Sequence, residues 1–323
     1  MGKNLFAICF YLLFLPLLFA KPEAKITVHV VSDQGQPLMN IPISLSTFNH
    51  FQPGEGFGRD IYSNLTGKTD IKGFVSFSIE SVRGDMGIGT DYPLVGVYQG
   101  NIGYQFININ SGKWQPWNPT VEFVVKPILN PIPMYAQNIN LDIPLTNTPV
   151  GFDLEAGDWV APYGKGTVSD FIFTMAEKIP FTKYNQPYDL TWTLSFLNKG
   201  DGIQSVLVPQ NAGSALRLPR YAPETGYLPT LVQELSLNGN KRINGADGED
   251  QNYFYRVRTV LDENGNVKSA VYGKIAGPIQ YWGNKDVHMI YYLNPTPNDR
   301  NMEFNPKKNL FQNLPTLQQV NAP

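Results

Sequence analysis

Residues 188–196, YDLTWTLSF, set Leu190, Trp192, Leu194 and Phe196 at every second position, with Thr191, Thr193 and Ser195 between them. Side chains alternate across a strand with a period of two, so the stretch reads as a strand with one buried and one wet face. An antiparallel sheet that packs on one side has this pattern. A helix would scatter the four apolar side chains around its circumference. The alternation returns in residues 26–30, where Ile26, Val28 and Val30 flank Thr27 and His29, and in residues 74–79. Residues 252–261, 267–275 and 287–293 also read as strands. With 29 Gly and 26 Pro to break the chain, and 17 Tyr and 19 Phe that favour strands, the expected class is all-β. One helical foothold remains at residues 168–178, where Phe171, Ile172 and Phe173 read equally well as strand.

A length of 323 residues exceeds what one hydrophobic core serves, so two domains are expected. A hydrophobic fraction of 42% with 16% charged residues is globular. The net charge of −2 and pI near 6.0 give no electrostatic footprint for nucleic acid or an anionic membrane surface, so no nucleic-acid partner is expected.

The first residues have the form of a signal peptide. Lys3 supplies positive charge, residues 5–19 are apolar around Pro16, and Ala20 or Ala24 offers a small residue for cleavage. The expected division is a signal peptide at 1–24, removed so that the mature chain begins between Lys21 and Lys25. The apolar run is shorter than the roughly 20 residues of a comfortable span, so the mature chain is expected to have no transmembrane segment. Location is expected to be secreted, periplasmic or at the cell surface. Cys9, the single cysteine, falls inside the signal segment, which leaves the mature chain no disulfide or thiolate zinc site.

Residues 25–126 are expected to form the first β-sandwich. A strand at 26–30 turns at Asp33 to Gly35, and the next, residues 41–46, carries Pro42 and reads as an edge strand. Asp33-x-Gly35-x-Pro37, Asn40-Ile41-Pro42-Ile43 and Thr69-Asp70-x-x-Gly73-Phe74-x-x-Phe77 resemble the carboxypeptidase regulatory-like and bacterial Ig-like modules. Asn40 stands where glycine is common in that family, and a long insertion separates the signatures. The resemblance implies a small β-sandwich in an exported or surface protein, supporting another domain and carrying no active site. Residues 95–97, 104–110 and 121–125 would complete the sandwich. Pro127, Pro131, Pro133, Pro144 and Pro149 then mark 127–149 as a proline-rich linker, partly in polyproline conformation.

Residues 150–323 are expected to form a second β-rich, sandwich-like domain. Asn264-Gly265 between two strand runs predicts a hairpin with positive φ at both turn positions. The tail from Asn294, rich in Pro and Asn, is expected to wrap the surface. Gly157-Asp158-Trp159, Tyr272-Gly273-Lys274-Ile275 and the Pro- and Asn-rich run at 291–305 resemble an exported bacterial family of uncharacterised function.

No catalytic constellation emerges. His29, His50 and His288 are far apart without metal-ligand spacing, and His29 and His288 read as polar residues on wet strand faces. Gly54-Glu-Gly56-Phe-Gly58 lacks the strand–loop–helix context of a phosphate loop, and Ser214 reads as a turn residue. Asp247, Glu249 and Asp250 gather acidic oxygens on a Gly-rich loop but miss the EF-hand spacing. Asp153, Asp158, Glu224 and Glu234 are the carboxylates that glycoside hydrolysis could use, and each also reads as a solvated surface acid. Neither a catalytic residue, a metal site nor a cofactor is therefore assigned.

What remains is aromatic surface. Trp159 and Tyr163 lie in the Gly- and Pro-broken opening of the second domain, and Tyr281 and Trp282 in Gln280-Tyr-Trp-Gly near its end. Tyr and Trp bury apolar area while keeping a polar tip hydrated, so these four are the candidate binding residues, with core packing as the alternative. The expected function is a non-enzymatic cell-envelope or extracellular protein that binds a polysaccharide or an extracellular protein. The rivals are a purely structural surface component and an enzyme acting on extracellular glycans with carboxylates from the second domain.

Overall fold

Strands carry nearly all the regular structure of the computed structural model, which describes residues 22–54, 56–81, 85–90, 98–103, 105–108, 113–115, 117–183, 185–208, 215–245, 248–281 and 285–323. Residues 1–21 of the expected signal segment, Cys9 among them, residues 95–97, Ser214, Asp247 and Trp282 lie outside these residues, whereas Pro22, Glu23 and Ala24, the end of that expected segment, are described. The chain is all-β, and the one helical element among the described residues is a 3-10 turn at Thr316–Gln318. It divides into two units, the first of residues 1–91 and 99–123 and the second of residues 92–98 and 124–323.

The first unit holds β1 (Glu23–Ser32), β2 (Pro42–Gln52), β3 (Arg59–Lys68), β4 (Phe74–Glu80), β5 (Asp85–Thr90), β6 (Tyr98–Gly103), β7 (Gln105–Asn108), β8 (Lys113–Gln115) and β9 (Thr120–Val125), whose last residues belong to the second unit. One sheet has the order β4-β1-β8-β7, with β9 also on β1, and the other β3-β2-β5-β6. The alternation read in β1 is the burial pattern found, with Ala24, Ile26, Val28 and Val30 all inside. Contrary to the edge-strand expectation, β2 is flanked on both sides, by β3 and β5. Pro42 is tolerated because it is the first residue of the strand, where a missing N–H does least harm to the ladder. The insertion between the two sequence signatures is the β2–β3 hairpin; β3 buries no residue fully and so leaves no apolar alternation to read. Asn40, at the position where glycine is common in the family it resembles, takes φ 63, a left-handed conformation that Asn tolerates.

The second unit holds β10 (Ile132–Asp142), β11 (Val150–Asp153), β12 (Asp158–Trp159), β13 (Phe171–Ile179), β14 (Tyr188–Ser195), β15 (Gly202–Leu207), β16 (Thr230–Asn238), β17 (Lys241–Asn244), β18 (Gln251–Leu261), β19 (Val267–Ile275), β20 (Gln280–Tyr281), β21 (Asp286–Asn294) and β22 (Phe304–Asn309). A six-stranded sheet runs β12-β11-β13-β14-β16-β17, and a seven-stranded sheet β15-β18-β19-β21-β10-β22, with β20 on β21. Trp192 and Leu194 from the first of these sheets and Tyr255, Met289 and Tyr291 from the second share one core. The other face of the seven-stranded sheet is buried as well, in two clusters around Phe254, Tyr272 and Met302 and around Met134, Tyr292 and Phe304. Residues 168–178, the helical foothold, lie almost wholly in β13 or the turn before it.

Three expectations change here. Within residues 127–149, expected as a linker, Ile132–Asp142 form β10, which pairs antiparallel with β21 and parallel with β22 and buries Met134, Ala136 and Ile139. Its prolines flank the pairing: Pro133 sits where the register with β22 shifts between Ile132 and Met134, and Pro144 and Pro149 come after the strand ends. The tail from Asn294 likewise contributes β22, with Met302, Glu303 and Phe304 buried. In the 262–266 turn only Gly265 has positive φ, at 82°, while the Asp262 carboxylate accepts the backbone N–H of Asn264 and of Asn266. That five-residue turn removes the need for a left-handed Asn264.

Gly273 explains part of the Tyr-Gly-Lys-Ile motif. It lies opposite Tyr255, and a Cβ there would stand 2.1 Å from the tyrosine ring. The ring lies across the bare backbone, and its hydroxyl donates to the Tyr292 carbonyl at 2.8 Å. Gly273→Ala is expected to lower stability by about 1 to 3 kcal/mol in denaturant unfolding. Combined with Tyr255→Leu, the methyl should cost clearly less than it does alone, because the clash exists only while the ring is present.

Candidate functional site

The described aromatic residues of the candidate set do not form a shared surface. Trp159 is 5% exposed, with Phe152 and Phe173 edge-on to it at 5.5 and 5.7 Å. β12 pairs with β11 and points this side chain into the core between the sheets, so the Gly- and Pro-broken context does not put it outside. Tyr281 is equally buried and stacks on Trp192 at 4.6 Å. Tyr163, by contrast, is 46% exposed. The described members of the set therefore do not share one face.

The acids in the opening loop serve the fold. Asp153 accepts the backbone N–H of Glu155, Ala156, Thr167 and Val168, closing residues 153–168 on themselves. Burial raises its carboxyl, but the four N–H groups together bring it below the usual carboxylate range. Asp158 accepts from Trp159 N and Lys165 N. Asp170, which the sequence did not mark, accepts Nε and Nη2 of Arg258 at 2.8 and 2.9 Å, and Arg258 also reaches Glu155. Burial pushes Asp170 up in spite of that guanidinium. Glu224 pairs at the surface with Arg300.

The concave, polar part of the unit lies on the outer face of the seven-stranded sheet. Asn138 and Asn140 of β10 alternate outward there, beside His288 of β21, and residues 317–318 cross above them. Together they line a trough of about 410 Å³. Asn138, His288 and Gln318 are held by hydrogen bonds. Asn138 donates its amide nitrogen to the Leu317 carbonyl at 3.2 Å, so its oxygen faces His288 Nε2 at 2.9 Å, and that nitrogen carries the hydrogen. The other ring nitrogen, Nδ1, lies 3.2 Å from the Gln280 side-chain oxygen. Gln137, on the inner face, holds Gln318 through a 3.0 Å amide contact.

Asn138 also borders a second cavity of about 270 Å³, lined by Arg217, Lys274, Ala276, Ile290 and Tyr292 and closed by residues 319–323. Lys274 is 1% exposed; its Nζ donates to the Met302 carbonyl at 2.7 Å and lies 4.5 Å from the Tyr292 ring centre. Burial depresses the ammonium to about 7; the Glu303 charge pulls it back up, and Lys126 pushes it further down.

Sequence reasoning missed this region. Asn138 and Asn140 fell in a segment read as linker, His288 was a wet-face residue, and Lys274 was one letter of a motif. The available signal was the alternation Met134, Ala136, Asn138, Asn140, which becomes visible once β10 is seen as a strand.

No family model and no curated protein matches the chain. Among solved structures, a Bacteroides fragilis protein of unknown function is 10% identical over 86% of this chain and 99% of its own, with a TM-score of 0.17, a likeness too small to bear on fold or role.

Two outcomes follow from these environments. Trp159→Ala should cost about 3 to 5 kcal/mol in thermal or denaturant unfolding, and Tyr163→Ala within about 0.5 kcal/mol of nothing. Lys274→Met should be more stable than the natural protein at pH 6, where the buried amine is charged in both folded and unfolded chains. From about 7 up to the unfolded value of 10.5, the unfolded state binds a proton that the folded state does not. The natural protein's stability therefore climbs with pH over that window and the advantage of Lys274→Met shrinks, as paired denaturation midpoints would record.

Proposed function

We propose that the chain is an exported, non-enzymatic binding protein, whose second unit takes an uncharged stretch of polysaccharide in the trough of Asn138, Asn140 and His288. The first unit, with its likeness to carboxypeptidase regulatory-like and Ig-like modules, supports it. One observation carries the reading: the trough's polar side chains are amides and an imidazole, and Asn138 and His288 are already oriented by hydrogen bonds of their own. Such groups offer neutral donors and acceptors in fixed directions, which suits sugar hydroxyls and limits the ordering that binding would otherwise require. Trp282 follows Gln280, the partner of His288, by two residues in the chain and is the aromatic this reading would use for stacking.

The glycan-cleaving alternative needs an acid and a second carboxylate free to face a sugar. Asp153 and Asp158 have their oxygens committed to backbone N–H groups, and Glu224 to Arg300. The described residues of the trough include no acid.

Titration with soluble fragments of neutral polysaccharides, followed by calorimetry, tests the reading. Asn140→Ala and His288→Ala should each weaken binding at least tenfold, roughly 1.4 kcal/mol, while the melting temperature stays near that of the natural protein. Binding that ignores both substitutions, or that is absent for every neutral polymer, would sink it.

A further inference from the structure

We infer that the 270 Å³ cavity beneath residues 319–323 is an oxyanion site, in which Arg217 and Lys274 receive a carboxylate or sulfate group. The inference stands apart from the trough's proposed role. It starts from an imbalance of charge. Two cationic side chains line one cavity, and none of its described lining residues has an acidic side chain. Charges are seldom buried without a partner, because losing water around an ion costs far more than losing it around a neutral group.

Neither cation is fully used by the protein. Arg217 donates Nη2 to the Val208 carbonyl at 3.2 Å, but its Nε is buried without a hydrogen-bond partner. Lys274 donates one proton to the Met302 carbonyl and has its ammonium over the Tyr292 ring; no other partner is present among the described residues. The neighbouring charges do not complete the balance. Glu303 is the acid that acts on Lys274, yet it pairs with Arg220 and also accepts the N–H groups of Leu129 and Asn130. Lys126, donating to the carbonyls of Arg217 and Leu218, adds positive charge to the same neighbourhood. Tyr292 offers no countercharge, since burial pushes its phenol up and its hydroxyl donates to the Ala322 carbonyl.

An oxyanion would accept from the idle Arg217 Nε and from the Lys274 ammonium together, with charge-assisted bonds stronger than neutral ones. A cavity of this volume has room for a single acidic monosaccharide or for a small inorganic anion. Both sources present the same oxygen chemistry. Binding should also be tied to a proton, because an anion beside Lys274 raises the amine's affinity for hydrogen ions. Around neutrality the site would take up part of a proton as it fills, and affinity would fall as pH rises.

The experiment uses the full chain with D-glucuronate, acetate and sulfate, and D-glucose as the uncharged control, at constant ionic strength. Calorimetry at pH 6 and pH 8, in buffers of differing ionisation enthalpy, reads affinity and proton uptake together. Saturable binding of an anion but not of glucose is expected, roughly tenfold weaker at pH 8 than at pH 6, with net proton uptake at pH 8. Arg217→Gln and Lys274→Met should each remove it, and Lys274→Met should also remove the proton uptake. Glucuronate binding far more tightly than acetate or sulfate would identify an acidic sugar as the source, and comparable binding of all three a free anion. No saturable binding of any anion, or binding that survives Arg217→Gln unchanged, would overturn the assignment.

Discussion

The bidentate contact between Arg258 and Asp170 is the point on which the second unit's sandwich closes. Asp170 stands just before β13 in one sheet, with its side chain wholly buried, and Arg258 stands in the irregular part of β18 in the other. Residue 258 has φ 56, a left-handed conformation that costs a non-glycine residue about 1 to 3 kcal/mol unless its surroundings hold it. The register of β18 with β19 shifts between Val257 and Val260, so the strand supplies an extra residue here, as a bulge does when it re-aims a side chain. Asp170 is thereby paired, and it also accepts the Leu154 N–H. Removing one partner would leave a buried charge alone, a loss of about 3 to 5 kcal/mol in comparable pairs. The same guanidinium reaches Glu155, so the loop that follows β11 is tied to the opposite sheet and Trp159 is kept over the core.

That closure fixes what the seven-stranded sheet can do with its other face. Tyr253, Phe254 and Tyr255 are all buried in succession, as are Tyr291, Tyr292 and Leu293, which happens only when both faces of a sheet are covered. The outer cover comes from chain without a third sheet, residues 215–222 and 300–304 and the end of the tail at 317–323. Irregular cover packs less evenly than sheet on sheet, and its backbone brings polar groups that must be matched. Asn301, Asn309 and Glu303 do this, each taking backbone groups from neighbouring segments. Concavities remain beside the crossing segment, and those are the trough and the cation-lined cavity.

The strands that line the core shared by the two sheets were legible in the sequence. Residues 188–196, 252–261, 267–275 and 287–293 correspond closely to β14, β18, β19 and β21, because each has one face in the shared core. Where both neighbours are unusual, legibility failed. β10 was hidden by prolines that stand at its irregular start and beyond its end, and β22 by Asn305, Pro306, Lys307 and Lys308, of which none is fully buried. The trough could not be read at all, since its parts come from residues 138–140, 280–288 and 317–318, brought together by pairing partners that are remote in the chain. The aromatic residues failed for a different reason: Gly and Pro around Trp159 mark a turn, but a turn between two paired strands still aims every second side chain inward.

The two concavities share Asn138 yet differ in the chemistry they offer. In the trough Asn138 and His288 satisfy one another, so a ligand there would replace water at groups already oriented. In the second cavity Arg217 Nε has no hydrogen-bond partner, and a buried amine holds its proton only loosely. Closing a sheet face with irregular chain would ordinarily select apolar or neutral side chains at that depth, because a lysine in β19 gains nothing for the fold that a methionine would not give. Lys274 sits between Tyr292 and the Met302 carbonyl, where a methionine would fill similar space without an ionic cost. Its presence there is a local departure from what stability alone would choose, and such departures gather where a protein meets something other than itself.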